Sequence, residues 1–189
     1  MLQDLSGPDG TPDGKIDPDH DRRVIGSSIP RYTYSIRGDL NWKGIDFSFL
    51  LQGVGKANGV ITSNGRHALL SQSNYPQKAH LDHWSFENPD PHAAYPRLTY
   101  DKNYNQRFST FWMEDASYLR LKNVQVGYTF AQPWIKKFRV DKLRLYFSAD
   151  NLFTWTDYFY AYDPETPITS GGYYPQVKTF VFGFNLTFN

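Results

Sequence analysis

The chain has 189 residues, no cysteine, a formal net charge of +1 and 17% aromatic residues. Without thiols it makes neither disulfides nor thiolate metal sites, and near-neutrality argues against an electrostatic nucleic-acid binder. Mean hydropathy is negative and no run of about 18 apolar residues occurs, which excludes a transmembrane helix but not a membrane β-barrel, whose strands alternate apolar and polar residues.

The first residues, MLQDLSGPDGTPDG, have neither the basic start nor the apolar core of a secretory signal peptide. Residues 1–30 are rich in Asp, Gly and Pro. Asp9, Asp13, Asp17 and Asp21, with other oxygen-bearing residues such as Thr11 between them, offer oxygen ligands at alternate positions, with Gly14 for a sharp turn and Ile16 after it, as in an EF-hand-type calcium loop. The fit is incomplete, because Thr11 and His20 stand where carboxylates are expected and Asp21 comes one residue late. A solvated acidic turn is the competing reading.

From Tyr32 a period of two begins. Tyr32, Tyr34, Ile36, Leu40 and Trp42 share one face of a strand over 32–42, and Thr33, Ser35, Arg37, Asp39 and Asn41 the other. Lys43-Gly44 reads as a tight turn, and Ile45, Phe47, Phe49 and Leu51 alternate through a second strand over 45–55 to complete a hairpin. Residues 56–114 lose the pattern and read as one long loop with scattered aromatics, among them Trp84 and Tyr95. Within it, His80 and His83 are a candidate metal pair, although nothing around them signals a helix and a plain loop fits as well.

A third strand is expected over 115–130. Leu119 and Leu121 are odd-numbered, whereas Val124, Val126, Tyr128 and Phe130 are even, so a bulge is expected near Lys122-Asn123. Residues 131–141 form a short turn, and a fourth strand covers 142–153, with Lys142 and Arg144 opposite Leu143 and Leu145. An aromatic loop containing Trp155 and Tyr158 follows, to about Tyr174. In the last strand, over 175–189, Phe180, Phe182, Phe184, Leu186 and Phe188 form an unbroken apolar face. Connections therefore alternate long and short, as in outer-membrane barrels with short periplasmic turns and long outside loops.

Several stretches resemble the SusC/RagA family of TonB-dependent outer-membrane transporters. They are Asp17 to Tyr32 (DPDHDRRVIGSSIPRY), Lys43 to Phe47 with Gln52 to Gly55, Asp115 to Asn123 (DASYLRLKN), Asn151 to Thr156 (NLFTWT), Asp163 to Glu165 and Tyr174 to Gln176. The resemblance covers nearly the whole chain. It implies an all-β fold formed by the last five antiparallel strands of a 22-strand transmembrane barrel in a Gram-negative outer membrane, with the plug and N-terminal regions absent. Five strands do not close a membrane barrel, and open edges in lipid are prohibitive, so the chain reads as a C-terminal fragment.

The implied function is import of oligosaccharides or peptides, powered through TonB, with a SusD-like surface lipoprotein as lid. On that reading Arg37, Asp39, Asn41, Lys142 and Arg144 line the lumen, the aromatic faces meet outer-membrane lipid, and Trp84, Tyr95, Trp155 and Tyr158 are candidates for touching substrate or lid. Calcium in the acidic loop is the one cofactor suggested. The alternative is a soluble β-sandwich carbohydrate-binding module, which leaves the long loop and the alternation of connections unexplained. An enzyme is not expected. Glu87, Glu114 and Glu165 offer carboxylates for glycoside hydrolysis, but no spacing selects a pair, and no nucleophile elbow, phosphate-binding Gly loop or HExxH occurs.

Overall fold

The computed structural model describes residues 3–66, 68–69, 75–100, 107–130, 139–160, 162–166, 173–174 and 176–188. Its strands are β1 (Tyr32–Trp42), β2 (Ile45–Gly55), β3 (Asn58–Val60), β4 (Met113–Asp115), β5 (Tyr118–Phe130), β6 (Val140–Thr156) and β7 (Thr179–Phe188). A five-stranded sheet runs β1-β2-β5-β6-β7, antiparallel at every pairing. The fold is thus all-β and open, with β1 and β7 as edges. No helix among the described residues is long and apolar enough to cross a membrane, which says nothing of strands.

Local chemistry sets the elements. Lys43 and Gly44 both have positive φ (46° and 87°), the conformation of the type I′ turn whose twist matches a two-residue hairpin. Gly44 is further confined because a Cβ there would lie 2.9 Å from the Thr129 carbonyl oxygen, which is close since the Thr129 amide donates to Gly44 O at 2.7 Å. The phase change on β5 is a bulge. Pairing passes from Leu121 to Asn123 and leaves Lys122 out of register. Opposite it, β6 passes from Asp150 to Phe153, with Asn151 in the left-handed region (φ 53°), where Asn is among the better-tolerated side chains.

The residues expected as one strand from Asp115 divide. Met113–Asp115 pairs with Asn58–Val60 as a small separate ladder, and the long strand starts at Tyr118. Ser117 sits at the break, donating its amide to Asp115 Oδ1 (2.8 Å) and accepting the Lys56 amide at its hydroxyl (3.0 Å). β6 continues beyond Phe153 to Thr156, which brings Trp155 into the sheet instead of a loop. Of the expected turn at 131–141, residues 131–138 lie outside the described residues and Val140 already opens β6. The expected ends of the last strand, Pro175 and Asn189, also lie outside them, and β7 begins at Thr179.

The stretch 56–114 is more ordered than a long loop. Ala57, Ile61, Tyr95, Trp112, Ala116, Tyr158 and Phe159 form a buried cluster where the β3–β4 ladder meets the segment after β6. The chain's buried core therefore lies in its connections, beyond one end of the sheet.

Candidate functional site

Registers assign the paired strand residues to one of two faces. On one, Gly38, Phe49, Val124, Ala149 and Phe180 stand side by side across the five strands, and Trp42, Ile45, Tyr128, Leu145 and Phe184 form a parallel row. Among the residues paired in register, none on this face is charged. Its side chains are largely uncovered, with Phe182 72% and Phe184 63% exposed, far more contiguous apolar surface than a water-facing sheet presents.

The apolar band does not run straight across the registers. Its lower edge passes from Trp42 on β1 to Phe130 on β5 and Phe188 on β7, four residues beyond Phe184 in the Trp42 row. Its upper edge passes from Tyr32 through Trp155 on β6, in the Tyr34 row, to Phe180 on β7, which lies in the Gly38 row, six residues along from end to end. At ~3.4 Å per residue and ~4.8 Å per strand these offsets are ~14 and ~20 Å over ~19 Å, an inclination of ~35–45°. A band of constant height on strands tilted by about 35–45° crosses the registers at that angle.

The opposite face is polar. Arg37, Asp39, Asn41, Lys142 and Arg144 all lie on it, as do Ser48, Gln125, Ser148 and Asp150. Arg37 Nε donates to Asp39 Oδ2 at 2.9 Å, both exposed. Arg144 reaches across β5 to Asp46 as a bidentate pair, with Nε to Oδ1 at 2.9 Å. The residue beneath that bridge is Gly127. A Cβ there would stand 2.6 Å from Asp46 Oδ1 and 2.7 Å from Arg144 Nη2, so a glycine is needed for the ion pair to close. The Tyr146 ring covers Gly183 in a similar way, 2.4 Å from where a Cβ would be.

At the outer end of this face a charged network joins two of the stretches that carry the family resemblance. Arg120 on β5 is 2% exposed. Its Nη2 donates to both carboxylate oxygens of Asp163 at 2.9 Å, its Nε donates to Thr154 Oγ1 at 2.8 Å, and its Nη1 lies 3.1 Å from Glu165 Oε2. Lys122, displaced by the bulge, donates to the same Glu165 oxygen at 2.7 Å. Asp163 also accepts the amides of Glu165 (2.9 Å) and Gln176 (3.1 Å). Two cations and two carboxylates thus balance, and they hold residues 162–166 against the sheet. Tyr162 ties the same segment to the other connection, donating to Thr62 O at 2.7 Å.

The expected contact residues are placed differently from one another. Tyr95 and Tyr158 are each 4% exposed and belong to the connection core. Both rings are enclosed there and not turned to solvent. Tyr158 covers Gly59, 2.3 Å from where a Cβ would be. Burial raises the phenol of Tyr158 to about 12 and that of Tyr95 still further. Trp155 is 54% exposed, but on the apolar face beside Leu119, so it faces away from the polar surface. Trp84 packs edge-on against Phe86, centroids 5.0 Å apart, beneath the Arg97 guanidinium at 5.6 Å from the Phe86 ring.

His80 and His83 do not form a metal pair. His83 Nδ1 contacts the His80 carbonyl oxygen at 2.8 Å. Buried His80 accepts the Gln77 amide at Nδ1 (2.8 Å) and meets the Gly65 carbonyl at Nε2 (3.2 Å), which selects the neutral Nε2–H tautomer. Its ring packs on Tyr95 at 4.6 Å, and burial lowers its pKa.

In the acidic segment, Asp21 Oδ1 accepts the amides of Leu5 (2.6 Å) and Ser6 (3.1 Å), and its Oδ2 that of Asp17 (2.8 Å). Asp17 accepts the amides of Asp19 and His20 and contacts the His20 ring. Those amides hold both carboxyls below their usual range. Asp13 accepts the Lys15 amide (2.9 Å), and Asp9 is exposed. Among the described residues no three acidic or histidine side chains are grouped to hold a metal.

No family model matches the chain. Three curated relatives from Formosa agariphila do. TonB-dependent receptor P3 is 29% identical over 181 residues, covering 89% of this chain and 17% of the relative. TonB-dependent receptor P26 is 30% identical over 189 residues (93% and 19%), and TonB-dependent receptor P39 is 25% identical over 203 residues (100% and 18%). The chain thus spans about a fifth of the length of the relatives it matches. Among solved structures, the RagAB peptide importer is similar in its open-open state (TM-score 0.69, 23% identity, 96% of this chain and 20% of that one) and in its closed-closed state (TM-score 0.72, 23% identity, 95% and 20%). This second likeness bears on the fold. Along nearly its whole length the chain is therefore similar in sequence to part of the TonB-dependent receptors and similar in fold to part of the RagAB structures.

Proposed function

We propose that these residues are the last five strands of a 22-strand outer-membrane barrel that imports oligosaccharides or peptides, drawing energy through TonB and covered by a SusD-like lipoprotein. The observation that carries this reading is the inclined apolar band. A sheet with one uninterrupted apolar face, inclined like a membrane barrel's strands, is suited to lipid on that face and water on the other. The polar face with Arg37, Asp39, Asn41, Lys142 and Arg144 then lines the lumen. The Lys43-Gly44 turn lies on the periplasmic side with Trp42 at that interface, and the connection core lies outside the cell. Further strands pair with the edges of β1 and β7.

The chain acts on this reading as part of a transporter and not as an enzyme. A soluble sandwich would need a second sheet over Phe180–Phe188, and among the described residues nothing covers that face. Trp84 remains a candidate contact for substrate or lid. A calcium ion in the acidic segment would draw on Asp9, Asp13, Asp17 and Asp21, and calcium titration of the intact receptor, followed by protease protection of this segment, tests it.

The experiment for the main reading is expression of the whole gene containing this chain, followed by membrane fractionation and uptake of labelled oligosaccharide and peptide pools with and without TonB. Outer-membrane location and TonB-dependent uptake are the expected result. A soluble product, or uptake indifferent to TonB, overturns it.

A further inference from the structure

At the upper edge of the apolar band three side chains form a cluster that the transport reading leaves unused. Phe153 and Trp155, two residues apart on β6, stack with centroids 6.0 Å apart and planes 29° apart. Both remain about half exposed on the apolar face (52% and 54%). Lys178, which continues the phase of Phe180 one step beyond the start of β7, holds its ammonium 5.6 Å above the Phe153 ring.

The placement of Lys178 is built. Asn151, left-handed at the β6 bulge (φ 53°), donates from its side-chain amide to the Val177 carbonyl at 3.1 Å. That bond fixes the chain one residue before Lys178. The bulge also sets the phase that puts Phe153 and Trp155 on the lipid side. The stretch Asn151 to Trp155 therefore supplies both the floor of the cluster and the tie that positions its cation. Lys178 makes no ion pair among the described residues, and its ammonium has three donors against one ring face. A cation in that position, at the boundary of an apolar band and flanked by aromatic rings, matches an anionic group carried on acyl chains.

Resting on the membrane reading above, we propose that Phe153, Trp155 and Lys178 bind the phosphorylated headgroup of an outer-leaflet lipid. The ammonium takes the phosphate, while the stacked rings pack against the sugar and upper acyl chains. Lys43, 5.1 Å from the Trp42 ring, marks the opposite edge of the band and lies too far away to share that lipid.

The test uses the full-length receptor containing this chain, purified in a non-ionic detergent, titrated with lipid A and followed by native mass spectrometry. Lys178→Ala is expected to weaken lipid A binding about fivefold, Lys178→Arg to retain it, and Lys43→Ala to leave it unchanged. Lipid A stripped of its phosphates is expected to bind the parent as weakly as lipid A binds Lys178→Ala. Equal binding of lipid A by the parent and Lys178→Ala overturns the site, as does equal binding of the two lipids. A receptor that fails to enter membranes refutes the membrane reading instead, so the two failures are distinguishable.

Discussion

Removing Arg120 is the sharpest perturbation of the outer network. Its side chain is 3% exposed and those of Asp163 and Glu165 are 8% and 12% exposed. Arg120→Ala leaves two carboxylates facing only Lys122, so one buried negative charge loses its partner. Breaking a buried pair from one side costs about 3–5 kcal/mol, whereas the Lys122–Glu165 contact, with Lys122 24% exposed, is worth nearer ~1 kcal/mol. The first effect dominates. About 3 kcal/mol corresponds to roughly a 150-fold rise in local opening. Hydrogen exchange on the full-length receptor reads it directly, because the amides of Glu165 and Gln176 donate to Asp163. Both should exchange about two orders of magnitude faster in Arg120→Ala and only a few-fold faster in Lys122→Ala. Arg120→Ala combined with Asp163→Asn should recover part of the loss, since the stranded charge is gone. Protection of Glu165 and Gln176 unchanged in Arg120→Ala would refute the reasoning.

Other expectations follow from the same structure. Gly127→Ala should destabilise the sheet by about 1–3 kcal/mol by forcing Asp46 and Arg144 apart, and combining it with Asp46→Ala should cost less than the sum of the two, as measured by thermal unfolding of the receptor. His80 is buried neutral with its pKa lowered, so folding disfavours its protonated form. The protection it gives residues 77–83 is full above the ordinary histidine value and falls as pH drops below it, visible by hydrogen exchange at pH 5 against 7.5 and absent in His80→Leu. Asp21 has the opposite origin but the same sign. Its pKa is lowered by the Leu5, Asp17 and Ser6 amides, so the order it gives residues 5–21 is present above the ordinary carboxylate value and is lost as pH falls through its own lowered value. Asp21→Asn should show the loosened exchange pattern at neutral pH.

The strands were legible because each long one carries a period of two that only a sheet with unlike faces explains, and even the β5 bulge was visible as the change from odd Leu121 to even Val124. The β3–β4 ladder was not, because three residues per strand give too short a pattern to separate from a loop. The burial of Tyr95 and Tyr158 was not legible for a physical reason: an aromatic in a connection packs a core or meets a ligand with the same composition around it. Trp155 escaped because the paired bulges at Lys122 and Asn151 extend β6 and reset its phase. The Arg120 network spans residues 43 apart, beyond any local period. The acidic partners sit in a turn, with the Thr166 amide donating to the Asp163 carbonyl, so no strand period could have paired them with Arg120 and Lys122.

The most direct measurement of the central claim is sidedness along β7 in lipid. These 189 residues have no cysteine, so in a full-length receptor freed of any cysteines elsewhere, single cysteines from position 180 to 187 can carry nitroxides in nanodiscs. Oxygen, which concentrates in the bilayer, should collide strongly with labels at Phe180, Phe182, Phe184 and Leu186, and a water-soluble relaxer with those at Val181, Gly183, Asn185 and Thr187. A period of two in that phase is the expected result. Labels that all respond to the water-soluble relaxer, or a period of the reverse phase, would contradict a strand with its phenylalanines in the membrane.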